Sequence, residues 1–347
     1  MAEVVVITGG SAGVGRATAE EFARHGCHIG LLARGRERLE AAAQSLRALG
    51  VRCHIVPTDV SDAEAVERAA SEIEQQLGPI DIWVNDAMVT AFAPVKDLTP
   101  EEFRRGTEVT YLGTVHGTMA ALRRMRERNR GVIVNVGSAL SYRAIPLQAI
   151  YCASKFAIRG FTDALRCEIL HDALNVHLTM VHLPAMNTPQ FDWALNKMDR
   201  RPQPVPPIFQ PEVAARAIWF AAHHNRREVW VGWPTVEAII GNKIAPGLLD
   251  RYLSSAAYSG QLTNEPKPPN APANLFEPAR GNWGAHGRFD ARAKETSWEM
   301  WTTRHQGWLA LGVLLLSSLG VGAILQGGNR VLNGRGKPRR QLQRIWR

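Results

Sequence analysis

From residue 4 to about residue 231, short apolar runs rich in Val and Ile alternate with longer stretches of helical character. That rhythm leaves few folds open. The apolar runs fall at Val4–Ile7, His28–Leu32 and Cys53–Val56, and near 80–84, 131–136, 176–183 and 228–231. Helical stretches lie between them at about 14–25, 36–49, 62–77, 100–128, 150–173 and 211–224. Strands separated by helices specify a parallel sheet covered on both faces, here of about seven strands. An apolar fraction of 45% is ample for such a core and excludes global disorder. At 347 residues the chain exceeds one ordinary domain but is short for two large ones.

The first apolar run, Val4-Val5-Val6-Ile7, leads directly into Thr8-Gly9-Gly10-Ser11-Ala12-Gly13-Val14-Gly15-Arg16, and a helix of good formers follows to about Arg24. Glycines let the backbone turn tightly and come close to a pyrophosphate, and the helix N-terminus offers free N–H groups and a positive dipole end. The spacing is Gly-x3-Gly-x-Gly. It is neither the common Gly-x-Gly-x-x-Gly fingerprint nor a P-loop, which would need a following Gly-Lys-Ser/Thr.

Tyr151 and Lys155 are four residues apart, so on a helix both project from one face. A free phenol titrates near ~10, too high for proton exchange at neutral pH. An ammonium about 4 Å away at an effective dielectric of ~20 would favour the phenolate by roughly 4 kcal/mol, and so lower that value. Ser138 stands thirteen residues before the tyrosine, just after the run Gly131-Val132-Ile133-Val134-Asn135-Val136. It is therefore expected past a strand's carboxyl end, where open α/β sheets place ligands.

Together these residues resemble the short-chain dehydrogenase/reductase family over roughly residues 1–245. The resemblance implies a doubly wound, Rossmann-type α/β fold with Ser138, Tyr151 and Lys155 as the catalytic set. Thr8, Gly9, Ser11, Gly13, Val14 and Gly15 match the family's phosphate loop. Asp59 and Val60 resemble its adenine-contacting pair, and Pro184 and Thr188 its nicotinamide-holding segment. Asn85 and Ala87 fall in the family's Asn-Asn-Ala-Gly, which here reads Asn85-Asp86-Ala87-Met88; the lost glycine puts a thioether near the cofactor ribose. The family's catalytic asparagine aligns with Thr110, which keeps the main-chain carbonyl that holds a water in the family but lacks the side-chain amide.

Charge bears on which nicotinamide cofactor is expected. An NAD site wants an acid at the end of the second strand. Ala33 stands there, followed by Arg34 and then Arg36. A guanidinium fork suits a 2′-phosphate, so NADP is expected, with Arg34 as its reader. Residues 186–211 are irregular and Pro-rich, and in the family such a segment lids the substrate. Here it carries Phe191, Trp193, Leu195 and Phe209; with Leu140, Tyr142 and Gln148 these are the expected walls of an apolar substrate pocket. Residues 246–303 form a Pro-, Asn- and Gly-rich irregular extension outside the resemblance.

Cys27, Cys53, Cys152 and Cys167 show neither CxxC nor metal spacing, so buried thiols are expected rather than disulfides. The 11 histidines form no ligand pattern either, and no metal is expected. Near the end, Gly307–Leu325 is free of charge for 19 residues, about 28 Å as a helix and close to the ~30 Å hydrocarbon core. The expectation is a transmembrane helix at 304–326 and a lipid-attracted basic tail at 327–347. That tail holds seven of the positive charges and no acid. Of the net +9, only +2 remains for residues 1–326, which argues against a nucleic-acid partner. Chain entry into a strand by residue 4 gives no sign of a signal peptide, so the catalytic domain is expected in the cytoplasm, with the topology of the tail open.

The expected function is hydride transfer between NADP(H) and a carbonyl or alcohol substrate with Tyr151 as general acid and base. The competing expectation, favoured by Thr110 and Met88, is a membrane-tethered nucleotide-binding scaffold whose catalysis has decayed. A third is a lipid-surface interaction protein driven by the basic tail. Family behaviour also implies a homodimer or homotetramer through the helices at 100–128 and 150–173.

Overall fold

Strand β1 (Val4–Thr8) is buried along its whole length. Its alternate residues serve two different cores. Val5 and Ile7 pack into one apolar cluster with Phe22, Leu39 and Ile218. Val4 and Val6 pack into another with Val66, Ile73, Trp83 and Leu165. Side chains alternate across a strand, so a continuous β-branched run suits a sheet with no wet face. Each such side chain stabilises the fold by about 1.5–3 kcal/mol relative to exposure.

The protein is described from a computed structural model, covering residues 2–298. Six further strands join β1: β2 (His28–Ala33), β3 (Cys53–Pro57), β4 (Ile82–Asn85), β5 (Gly131–Ser138), β6 (Val176–Leu183) and β7 (Glu228–Trp230). They form one sheet in the order β7-β6-β5-β4-β1-β2-β3, with every pair parallel. Strand order reverses between β1 and β4, and a crevice opens there beyond the carboxyl ends.

Helices α1 (Gly13–Arg24) and α2 (Arg36–Ala48) contribute to the first cluster, with Pro211–His223. Helix α3 (Ala63–Leu77) contributes to the second, its first turn capped by Asp62, which accepts from the Ala65 N–H. Helix α4 (Pro100–Thr107) opens with a capping box of Thr99 and Glu102. It does not run unbroken to 128: residues Glu108–Leu112 form a π turn before α5 (Gly113–Arg128). Helix α6 (Ala149–His171) carries the tyrosine and lysine.

The segment after residue 245 differs from the expected irregular extension. Pro246–Gly260 is helical, led by Pro246, whose fixed φ suits a first helical turn. Leu262–Pro266 then pairs antiparallel with Arg200–Pro202, and Ala293–Lys294 pairs parallel with Ile208–Phe209. Between these anchors the chain runs irregularly across the mouth of the β1–α1 turn, which it touches through Gly284. Cys27, Cys53 and Cys152 are buried free thiols, but Cys167 is exposed; its place on α6 turns it away from the sheet. The apolar stretch 307–325 and the basic tail lie outside the described residues. Among the described residues no helix is long and apolar enough to cross a membrane.

Candidate active site

The glycine turn is shaped by close approach on several sides. Gly9 has φ +74°, and a Cβ there would lie 2.9 Å from the Ala87 Cα. A Cβ on Gly15 would lie 2.5 Å from the Gly9 carbonyl oxygen. Thr8 ties this turn to the end of β4, its Oγ1 accepting from the Asp86 and Ala87 N–H groups at 3.1 Å each. Gly9, Ser11, Gly13, Val14 and Ala87 face the crevice, whereas Thr8, Gly15 and Asn85 stand behind it. The Asn85 amide is held among Trp83, Thr118 and Asn135 at 2.8–3.0 Å, so it braces β4 against α5 and β5.

The crevice, about 360 Å³, brings Ser138, Tyr151 and Lys155 together on one wall. Ser138 ends β5, and its Oγ accepts from the Leu140 N–H at 3.1 Å. Its hydroxyl lies close enough to the Tyr151 phenol to favour the ionised form. Lys155 is 3% exposed. Its Nζ donates to the Val136 carbonyl at 2.6 Å and lies 5.5 Å from the centre of the Tyr151 ring. The lysine therefore reaches over the ring toward β5 rather than to the phenol oxygen. Burial is the largest influence on Tyr151 and holds the phenol above its ordinary value, with the Ser138 hydroxyl opposing and the Asp86 charge adding to the rise. The low phenol value expected from the four-residue spacing is thus not set by these residues alone.

Asp86 is a site residue that the sequence reading passed over. It lines the crevice, lies against the Gly15 N–H, which favours its ionised form, and faces Lys155. Burial raises its carboxyl and lowers the Lys155 ammonium, and each charge opposes the other's shift. A buried acid across a glycine turn from a lysine has no local sequence signature, because one follows β4 and the other sits on α6.

Thr110 is fully buried at the centre of the π turn. Its Oγ1 bridges both the N–H and the carbonyl of Val89 at 3.1 Å, and its own carbonyl accepts from the Thr114 hydroxyl at 3.0 Å. It stands behind the crevice wall and fixes the loop after β4.

At the other end, Asp59, Val60, Ala33 and Arg34 line the crevice. Burial acts to raise the Asp59 carboxyl, but hydrogen bonds from Arg105 and Ser61 outweigh it and hold the group below its ordinary value. The Arg34 guanidinium donates to the carbonyls of Phe276 at 2.7 Å, Leu275 at 3.4 Å and Asn274 at 2.5 Å, all in the C-terminal extension. The extension also reaches the glycine turn: the Gly13 N–H donates to the Gly284 carbonyl at 3.0 Å, and Arg16 donates to Asn282 at 3.1 Å. Arg38, from the first turn of α2, is a second guanidinium in this wall, placed over the ring of Trp193 at 5.1 Å.

Pro184, Thr188, Phe191 and Trp193 also line the crevice, as do Leu140, Gln148 and Met88. Leu195, Phe209 and Tyr142 do not. Tyr142 turns outward, donating to Glu228, with Arg159 over its ring at 3.9 Å; Leu195 and Phe209 are drawn into the short strand pairs that anchor the lid.

A family profile described as short chain dehydrogenase matches residues 3–198. The chain belongs to the short-chain dehydrogenase/reductase family. It is 32% identical over 281 residues to an uncharacterized oxidoreductase, YxnA, of Bacillus subtilis, covering 80% of this chain and 79% of that one. It is also 32% identical over 192 residues to 3-dehydrosphinganine reductase of Danio rerio, 54% of this chain and 57% of the relative. Among solved structures, an alcohol dehydrogenase of Thermococcus sibiricus complexed with 5-hydroxy-NADP superposes with a TM-score of 0.58 at 27% identity, covering 67% of this chain and 96% of that one. The protein is an oxidoreductase of this family. The residues present fit a dinucleotide, since Cβ atoms at Gly9 and Gly15 would collapse the turn that a pyrophosphate must approach.

Proposed function

We propose that the protein moves a hydride between NADP(H) and the carbonyl or alcohol carbon of a fairly apolar substrate. The observation that carries this reading is the convergence of Ser138, Tyr151 and Lys155 on one wall of a crevice entered over the glycine turn. When bound, the dinucleotide supplies or accepts the hydride. Tyr151, whose phenol burial holds above its ordinary value, is protonated at neutral pH, and the protonated form is the one that donates to a carbonyl oxygen. Ser138 holds the same oxygen where negative charge grows. Lys155, fixed by the Val136 carbonyl, opposes the charge left on the tyrosine. Asp59, Val60, Pro184 and Thr188 position the two ends of the cofactor.

The NADP preference is supported by Ala33 at the end of β2, where an NAD site would want an acid, and by the guanidiniums beside it. An apolar substrate is supported by Leu140, Ile145, Leu183, Met186, Phe191 and Val205 along the wall, and by the name of the 3-dehydrosphinganine reductase relative. Membrane attachment is supported by the uncharged stretch 307–325 and the seven basic residues after it.

The test is Tyr151→Phe in the intact chain, following NADPH oxidation against ketones, aldehydes, sterols and fatty acyl carbonyls. Removal of the general acid lowers turnover by about 10²–10⁴-fold, while NADPH binding by fluorescence is retained. Undiminished turnover would remove Tyr151 from the mechanism.

A further inference from the structure

We infer that Arg38, not Arg34, is the side chain that reads a phosphate ester on the adenosine ribose of the cofactor. The inference rests on the NADP reading above and assigns its decisive residue.

Arg34 follows β2 directly, but its donors are turned to the extension, where three successive carbonyls at 274–276 accept from it. A guanidinium holding those acceptors is a clamp for the chain that crosses the site. Arg38 is in the opposite condition. It lines the same end of the crevice, is only 7% exposed, and has no hydrogen-bond or ion-pair partner among the described residues. Glu37, its neighbour on α2, is the acid whose charge acts on Arg38, but it forms neither an ion pair nor a hydrogen bond with the guanidinium. Asp59, which lines the same end of the crevice, is already taken by Arg105 and Ser61. A buried cation with unanswered donors is costly unless an anion completes it.

Two neighbours fix Arg38 in place without satisfying its N–H groups. The ring of Trp193 lies 5.1 Å from the guanidinium carbon, a cation–π contact that uses the ring face and no acceptor. Gly35 leaves space for the side chain, since a Cβ there would come within 3.2 Å of the Arg38 Nε. Steadied this way, the planar fork keeps donors for the paired oxygens of a phosphate.

The experiment titrates the intact chain with 2′,5′-ADP and with 5′-AMP, which differ by the one phosphate, following tryptophan fluorescence or heat. The unaltered chain binds 2′,5′-ADP more tightly. Arg38→Gln reduces the ratio of the two affinities by at least about tenfold, or about 1.4 kcal/mol, while Arg34→Gln leaves that ratio in place. Arg38→Met, which removes the buried charge and keeps the length, serves if the glutamine variant does not fold, and collapses the ratio likewise. A preference retained in the Arg38 variants, or lost in Arg34→Gln alone, overturns the assignment and leaves the NADP reading standing. Equal binding of both probes by the unaltered chain overturns the NADP reading and this assignment with it.

Discussion

Gly15 and Gly160 both lie within helices, yet alanine at the two sites should act in opposite directions. Replacing a helical glycine by alanine ordinarily stabilises by about 0.5–1 kcal/mol, because glycine loses more backbone freedom on folding. At Gly160, on α6, a Cβ meets nothing within 4 Å, so that gain is expected in full. At Gly15 the Cβ would sit 2.5 Å from the Gly9 oxygen and 2.8 Å from its carbon. Both are backbone atoms. Gly9 has little room to retreat, because the Ala87 backbone stands where a Cβ on Gly9 would come within 2.9 Å of it. Overpacking of a rigid site costs about 1–3 kcal/mol. Set against the propensity gain, the two substitutions should differ by about 1–3 kcal/mol, with Gly160→Ala the more stable. Urea unfolding of both variants, read as the shift in midpoint at unchanged slope, measures this difference. NADPH titration should also show weaker binding for Gly15→Ala only. If Gly15→Ala is as stable as Gly160→Ala, the close-packed turn described above is wrong.

Asp86 and the C-terminal segment give two further expectations. Burial raises the Asp86 carboxyl above its ordinary 3.8, so between that value and the raised one the folded chain holds a proton the unfolded chain has released. The unfolded state then binds fewer protons, and this group makes stability fall as pH rises through that window. Asp86→Asn removes the fall, so the variant should gain stability relative to the unaltered chain from pH 4 to pH 7; parallel urea midpoints in both would acquit Asp86. The intact chain should co-sediment with anionic phospholipid vesicles, and removing residues 304–347 should abolish that; equal sedimentation of both forms would reject membrane attachment through this segment.

The sheet and the wall that holds Ser138, Tyr151 and Lys155 were legible because their signals are local. A β-branched run such as Val4–Ile7 demands burial on both faces, and only a parallel sheet clad in helices supplies it. The glycine turn follows from backbone sterics within a few residues, and Tyr151 and Lys155 share a helix face by their spacing alone. Long-range partners were not legible. Arg34 looked free to meet a phosphate, but chain some 240 residues later returns to take its donors. Tyr142 sits between Ser138 and Tyr151 in sequence, yet Glu228 draws it away from the crevice. The helical stretch over 100–128 holds, but nothing in it showed the π turn at Glu108–Leu112, where Thr110 bonds Val89 on the loop after β4. Local conformation is written in neighbouring residues, whereas the partner of a charge depends on where the distant chain comes back. For that reason the sequence by itself determined the fold and the trio Ser138, Tyr151 and Lys155, and the tertiary structure alone decided that Asp86 faces the lysine and that Arg38 lines the crevice without an acceptor among the described residues.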